Sequence, residues 1–191
     1  HHLLVLVDSD QVTVVLALTG AAELGRRAEA LVGALHPGEQ GGWRPLVGVS
    51  EERAAIAGVG EAYQQARAAA RVSAAIAPGE QIAHWDDLGA YRTVAALVQD
   101  GDPGALVPAS FARLLASADA ESLIETLERY LDLGGDARAA AEQLYIHRSS
   151  LYGRLHRIEE VAGVDLRSGE DRLELHLGLR LWRLAGSRRG R

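Results

Sequence analysis

The 191-residue chain contains no cysteine, no methionine and no lysine. Without thiols there is neither a disulfide framework nor a thiolate metal site. No run of about 18 apolar residues is present to span a bilayer, and no segment reads as a signal peptide, so a cytoplasmic protein with no membrane partner is expected. The missing methionine, with His1-His2 at the start, makes the chain read as a fragment whose two leading histidines come from a tag. Aromatics are scarce at 5%, which leaves core packing to leucine, valine and alanine. All 20 basic residues are arginine, an extreme that reflects a GC-rich genome more than any ligand, although arginine does suit bidentate contacts to guanine. The net charge of -6 argues against nonspecific coating of nucleic acid and leaves a local basic field open.

What is present is a soluble globular composition, 48% apolar and 24% charged. Residues 3–7 and 12–18 are β-branched, leucine-rich runs on either side of Asp8-Ser9-Asp10-Gln11, and they read as a hairpin. A helix over 21–35 ends at His36-Pro37-Gly38, and Glu39-Gln40-Gly41-Gly42 is a loop. A short strand at 45–49 runs into Ser50-Glu51-Glu52, which is read as a helix cap, and an alanine-rich helix spans 61–77. A last strand at 81–85 precedes a helix to about residue 98. This order predicts an α+β part, a sheet with helices on one face, followed by an all-α part.

The breakers Gln99-Asp100-Gly101-Asp102-Pro103-Gly104 mark the best boundary. A helix is expected over 108–118 with Phe111, Leu114 and Leu115 inward, then one over 121–133, capped by Asp119 or set apart by it, with Leu123, Leu127, Tyr130 and Leu131 inward. Gly134-Gly135 ends it. Asp136 can cap the next, alanine-rich helix to Leu144, because its carboxylate can accept from free amides of the first turn. Ile146 is placed to plug a corner, and a second helix over about 148–160 carries Leu151, Leu155, Ile158 and Ala162 at spacings of four, three and four. Two short helices joined by a tight corner describe a helix-turn-helix. The last helix, about 171–184, has two apolar stripes: Leu173, Leu177, Leu181 and Leu184 on one side, Leu175, Leu179 and Trp182 nearly opposite. One stripe is expected to close the helix-turn-helix core and the other to meet the α+β part or a second subunit; both lying in one core is the equal alternative.

At 100° per residue from Leu151, the outward arc of the second helix holds Ser149, Tyr152, Gly153, His156 and Arg157, with Arg148 and Arg154 on its flanks. From His147 to Ile158 there are three arginines, two histidines and no acid. Such a face can meet phosphates and base edges in a DNA major groove; the plain alternative is a solvated face of a helical bundle.

Several runs carry a family resemblance: Leu127-Glu128-Arg129-Tyr130-Leu131, Ala140-Ala141-Glu142-Gln143-Leu144-Tyr145-Ile146-His147-Arg148, Arg154-Leu155 and Arg157-Ile158-Glu159-Glu160, and the closing segment from Asp171 through Leu181. Over about 65 residues they resemble the C-terminal DNA-binding domain of the PucR/CdaR family of bacterial transcription regulators. Two departures stand out. The chain has Ser149-Ser150 where the family has Asn-Thr, and Tyr152-Gly153 where it has Arg-Tyr. Leu46 to Ser50, the run at 62–69, and His84-Trp85-Asp86-Asp87-Leu88-Gly89 are similar, more weakly, to the GGDEF-like domain that precedes the DNA-binding domain in those regulators. The fragment is expected to enter that domain late, at the hairpin. The resulting division is 1–99 partial GGDEF-like domain, 100–120 linker and connecting helix, 121–186 helix-turn-helix domain and 187–191 basic tail.

Catalysis is not expected. A diguanylate cyclase needs acids holding magnesium and a Gly-Gly at the hairpin tip; here Asp8 and Asp10 are turn formers, and Gly41-Gly42 lies in another loop. His84, His147, His156 and His176 lack metal-ligand spacing, so no metal or cofactor is expected. The expected function is sequence-specific regulation of metabolic genes by a homodimer on double-stranded DNA, the recognition helices about one DNA turn apart. The candidate contacts are His147, Arg148, Ser149, Ser150, Tyr152, Arg154 and Arg157. The resemblance implies a small-molecule effector, sensed in a missing N-terminal domain. The alternative is a ligand-sensing or dimerisation module that does not bind DNA.

Overall fold

The computed structural model describes residues 3–7, 11–17, 21–35, 45–76, 79–98 and 101–189. The expectations for Asp8, Ser9 and Asp10, for the Gly41-Gly42 loop and for the side chains of the basic tail lie outside the described residues. The chain divides into two compact units, His1–Gln99 and Asp100–Arg191.

In the first unit β1 (Leu3–Val7) and β2 (Val12–Leu16) pair antiparallel, with Leu3 opposite Leu16 and Val7 opposite Val12. Helix α1 (Ala21–Leu35) follows, then β3 (Val47–Val49), a 3-10 turn (Ile56–Gly58), α2 (Val59–Ile76), β4 (Ile82–His84), a second 3-10 turn (Trp85–Leu88) and α3 (Tyr91–Leu97). The α+β character is as expected, but the described strands form two separate pairs rather than one sheet, β1 with β2 and β3 parallel to β4. The latter pair is only three residues long, with Gly48 opposite Ala83. The helix cap expected at Ser50-Glu51-Glu52 is not formed. Glu51 is committed to tertiary partners instead: its amide donates to Gln65 Oε1 at 3.2 Å, and its carboxylate accepts from Gln65 Nε2 and Arg92 Nη1, both at 3.2 Å. That pairing also satisfies the amide of Gln65, which is buried on α2.

Gly48 explains how β3 lies against α2. A Cβ at this position would run into the carbonyl oxygen of Ala66 and come within 2.8 Å of the Ala70 nitrogen. The strand therefore touches the helix backbone directly, beside the small buried residues Ala68 and Ala69.

The second unit is all helical apart from turns. After a 3-10 turn (Pro103–Leu106) come α4 (Ala109–Leu115), α5 (Ala120–Asp132), α6 (Ala137–Gln143), α7 (Arg148–Ala162) and α8 (Gly169–Arg189). One core holds Phe111 and Leu114 of α4, Leu123, Leu127 and Leu131 of α5, the α7 stripe, and Leu175 and Leu179 of α8. Residues 100–120 thus contribute to the core of this unit rather than merely leading to it. Asp119 does not cap α5 with its side chain; Ser117 Oγ accepts from the Asp119 amide at 3.3 Å, and Ser122 Oγ donates to its carbonyl at 3.2 Å.

On α8 the two expected stripes are not treated equally. Leu175 and Leu179 enter the core and Trp182 packs against it, its ring 6.2 Å from that of Phe111. Of the opposite stripe Leu181 and Leu184 are buried, whereas Leu173 and Leu177 are exposed. Gly178 lets α8 meet α4: a Cβ there would lie 2.6 Å from Phe111 Cβ and 3.2 Å from Pro108 Cδ.

Charged side chains tie α8 to α5. Arg180 bridges Glu128 and Asp132, Arg183 reaches Glu128 at 2.5 Å, and His176 Nε2 lies 3.4 Å from Asp132. Burial, helped by the positive Arg180, pushes the His176 pKa below the ordinary histidine value. Asp132 and Glu128 pull the other way but do not prevail, and Asp132 is already engaged by Arg180.

Two outcomes follow. Gly178→Ala and Gly48→Ala should each destabilise their unit by about 1–3 kcal/mol in thermal unfolding, because each forces a packed neighbour to move. Gly33→Ala, where nothing lies within 4 Å of the added methyl, should not. For His176 the folded state binds a proton less readily than the unfolded chain, so its contribution is intact above the ordinary histidine pKa of about 6.5 and is lost as pH falls through the lower folded value. Melting temperature should therefore drop as pH is taken below that range, and His176→Gln should flatten that part of the profile.

Candidate nucleic-acid interface

Helix α6 starts where Asp136 turns the chain. Its Oδ1 accepts from the amides of Arg138 at 2.9 Å and Ala139 at 3.1 Å. The preceding reversal needs left-handed backbone, and Gly134 and Gly135 supply it with φ of 66° and 89°. Ala140 and Ala141 are buried, and two methyl groups let this short helix settle closely on its neighbours.

The corner runs from Leu144 to His147. Ile146 packs against the core, as expected of the residue placed to plug the corner, and Tyr145 adopts φ 55° and is 96% exposed. His147 then caps α7: its Nδ1 accepts from the Ser149 amide at 3.2 Å and lies 2.7 Å from Ser149 Oγ. With Nδ1 used as an acceptor, the neutral ring carries its proton on Nε2 and presents a donor outward.

Leu151, Leu155, Ile158 and Ala162 are all buried, so the expected stripe is the one that packs. The opposite side is left to water. His147, Arg148, Ser149, Ser150, Tyr152, His156 and Arg157 are exposed. Arg148 Nη2 donates to the Tyr152 hydroxyl at 3.1 Å and its guanidinium lies 5.3 Å from the ring centroid, a hydrogen bond that raises the arginine pKa further. This pair holds a planar donor fork at the start of the helix, where backbone amides add their own positive potential.

The far end differs. Arg157 donates to Glu160 at 3.3 Å, and His156 lies 3.8 Å from Glu160 and 4.0 Å from Glu159. Carboxylates thus offset the basic groups in the last turns, and the uncompensated positive field sits in the first two. Arg154 is half-buried and donates to Thr126 Oγ1 on α5 at 3.2 Å. Unlike the other candidate contacts, its guanidinium is turned toward the scaffold, which its position about 60° from the buried stripe allows.

The C-terminal end of α7 is fixed from three directions. Gly163 closes it in a left-handed conformation, Arg113 donates to the Ala162 carbonyl, and Glu159 accepts from the Leu166 amide at 2.9 Å. Reasoning from sequence singled out neither Arg113 nor Tyr145. Arg113 gives no local signal; Tyr145 could have been found from the left-handed residue that a corner this tight demands.

No group of three or more His, Cys, Asp or Glu that could hold a metal occurs among the described residues. No described helix is long and apolar enough to cross a membrane.

Residues 123–181 match the PucR C-terminal helix-turn-helix domain, and residues 1–72 match the GGDEF-like domain. Among curated proteins, the chain is 30% identical over 139 residues to the proline-responsive transcriptional activator PutR of Bacillus subtilis, covering 71% of this chain and 34% of PutR. It is 38% identical over 64 residues to the purine catabolism regulatory protein of the same organism, covering 34% of this chain and 12% of that protein. The DNA-binding transcriptional activator AdeR of B. subtilis is 32% identical over 60 residues, covering 31% of this chain and 14% of AdeR. The chain therefore spans about a third or less of the length of these relatives. The chain thus carries a stretch that matches a GGDEF-like domain followed by one that matches the PucR C-terminal helix-turn-helix domain, in the order that its resemblance to PucR-type regulators implies.

Proposed function

We propose that the protein is a sequence-specific DNA-binding transcription regulator of metabolic genes, with α7 entering the major groove by its first two turns. One observation carries the reading: the outward side of α7 keeps His147, Arg148, Ser149, Ser150 and Tyr152 exposed and, among the described residues, free of carboxylate partners, while its other side supplies the core. Metabolic control is supported by the relatives, one named for its response to proline and another for purine catabolism. A site of action in the cytoplasm, where the chromosome lies, is part of the proposal, and no catalytic step is assigned.

Within this reading the candidate residues take different roles. Arg148, oriented by Tyr152, is the base-reading candidate, because a planar fork matches guanine O6 and N7. His147, through Nε2–H, and the hydroxyls of Ser149 and Ser150 are suited to phosphates and base edges near the start of the helix. Arg157, paired with Glu160, is a phosphate candidate. Arg154 is assigned to bracing α7 on Thr126 rather than to contact. A homodimer on two half-sites about one turn apart supplies the remaining specificity, and a small-molecule effector acts through a sensor domain in the full-length protein.

The test is binding to DNA upstream of the protein's own gene, measured at several salt concentrations. Arg148→Ala should lose discrimination at one base pair, worth about 1–3 kcal/mol. Arg157→Ala should weaken all sequences alike and lower the salt slope by about 1. Binding that is insensitive to salt, or no retention of any duplex, would leave the dimerisation-module reading in its place. One chain per saturated duplex would remove the homodimer.

A further inference from the structure

Two residues of the helix-turn-helix weaken the isolated fold and gain nothing inside it. The first is Gly153, the sixth residue of the fifteen-residue α7. Glycine is the poorest helix former after proline, and alanine would serve the helix better. Nothing internal demands the glycine: a Cβ here would meet no atom within 4 Å, and the residue does not adopt positive φ. This sets it apart from Gly178, where a neighbouring side chain fills the space, and from Gly163, where the backbone is left-handed. Its position is also specific. Two residues beyond Leu151, it sits about 200° from the buried stripe, at the middle of the outward arc. Ser149, Tyr152, His156 and Arg157 surround it on the helix surface, all exposed. The arc therefore has a bare-backbone notch at its centre and hydrogen-bonding groups around the rim.

The second is Tyr145, in the corner just before His147. Among the described residues it is the one non-glycine with positive φ, a conformation that glycine or asparagine adopts at less cost. Its amide is held by the Glu142 carbonyl at 3.2 Å, but its ring and hydroxyl have no partner among the described residues, and the residue is 96% exposed. An aromatic ring held in a strained conformation and pointed into water does no packing work.

We propose that Gly153 and Tyr145 are DNA-contact positions, Gly153 the point of closest approach between α7 and the base edges, and Tyr145 a clamp on the sugar-phosphate backbone ahead of the helix. This rests on the DNA-binding reading above and extends it to residues on which that reading did not draw. A helix carrying a side chain at its outermost point is held off the groove floor by that side chain. Without one, Ser149 and the Arg148–Tyr152 pair reach further in. Tyr145 brings a hydroxyl donor for a phosphate oxygen and a flat apolar face for a deoxyribose, two features of the strand bordering the groove.

The experiment exploits an opposition between stability and binding. In the 191-residue chain, Gly153→Ala supplies the better helix former and Tyr145→Gly relieves the left-handed strain, so both should melt at or above the wild-type temperature. Both should nevertheless bind DNA about tenfold more weakly. The probe is a duplex enriched by the wild-type chain from a random pool of roughly 30 base pairs, long enough for two half-sites. Tyr145→Phe, which keeps the ring and removes the hydroxyl, should fall between wild type and Tyr145→Gly. Unchanged affinity in Gly153→Ala and Tyr145→Gly would overturn the assignment while leaving the DNA-binding reading in place. A lower melting temperature in Gly153→Ala would also overturn it, since the fold itself would then require the glycine. A wild-type chain that enriches no duplex would remove the DNA-binding reading, and this inference with it.

Discussion

The structure of the second unit depends on the burial of four side chains, Leu151, Leu155, Ile158 and Ala162, on one side of α7. A helix of fifteen residues is marginal alone in water, so its stability comes from this stripe and the helices that receive it. Burying the stripe also fixes the rotation of the helix about its axis. That rotation determines which residues face outward, so the same apolar contacts that fold the domain aim His147, Arg148, Ser149 and Tyr152 at solvent. The proposed DNA-binding surface is in this sense the remainder of the core, and a change in stripe register would rotate the whole face.

Helix α7 was legible in the sequence because its spacing leaves one solution. Three apolar residues and an alanine at four, three and four cannot be buried together in any other local structure. Asp136 was legible as a cap for a similar reason: an acid directly before an alanine run has free amides within reach. The same logic failed at Ser50-Glu51-Glu52, where the residue types suited a cap but distant partners claimed Glu51, while Asp119 stands at the start of α5 without a side-chain cap bond. Ser117 and Ser122 hold the turn around Asp119, while Gln65 and Arg92 engage Glu51 from 14 and 41 positions away. Long-range competition of this kind leaves no local trace. Nor does Arg113, whose partner, the Ala162 carbonyl, is 49 residues distant.

The first unit was legible in its order of elements but not in its pairing. Runs of β-branched residues mark strands and say little about which edges join, and here the described strands close two short pairs. Gly48 illustrates why. In sequence it is an interruption in a strand pattern, whereas in space it is the contact that lets β3 touch the backbone of α2. On α8 the two stripes were visible, yet periodicity could not tell that Leu173 and Leu177 would stay exposed while Leu181 and Leu184 were covered. Burial along a helix this long changes with what stands beside each turn.

The two ends of α7 are held unequally. Arg113, Gly163 and the Glu159–Leu166 bond fix the backbone of the last turn, while the exposed polar groups of the first turn are held by contacts local to it, His147 with Ser149 and Arg148 with Tyr152. At the tip only Leu151 reaches the core, and the exposed side chains around it lean on one another. Exposed side chains at the tip can be exchanged singly without disturbing the anchorage, so on the proposed reading point substitutions there would change what the face recognises and leave the folded domain intact.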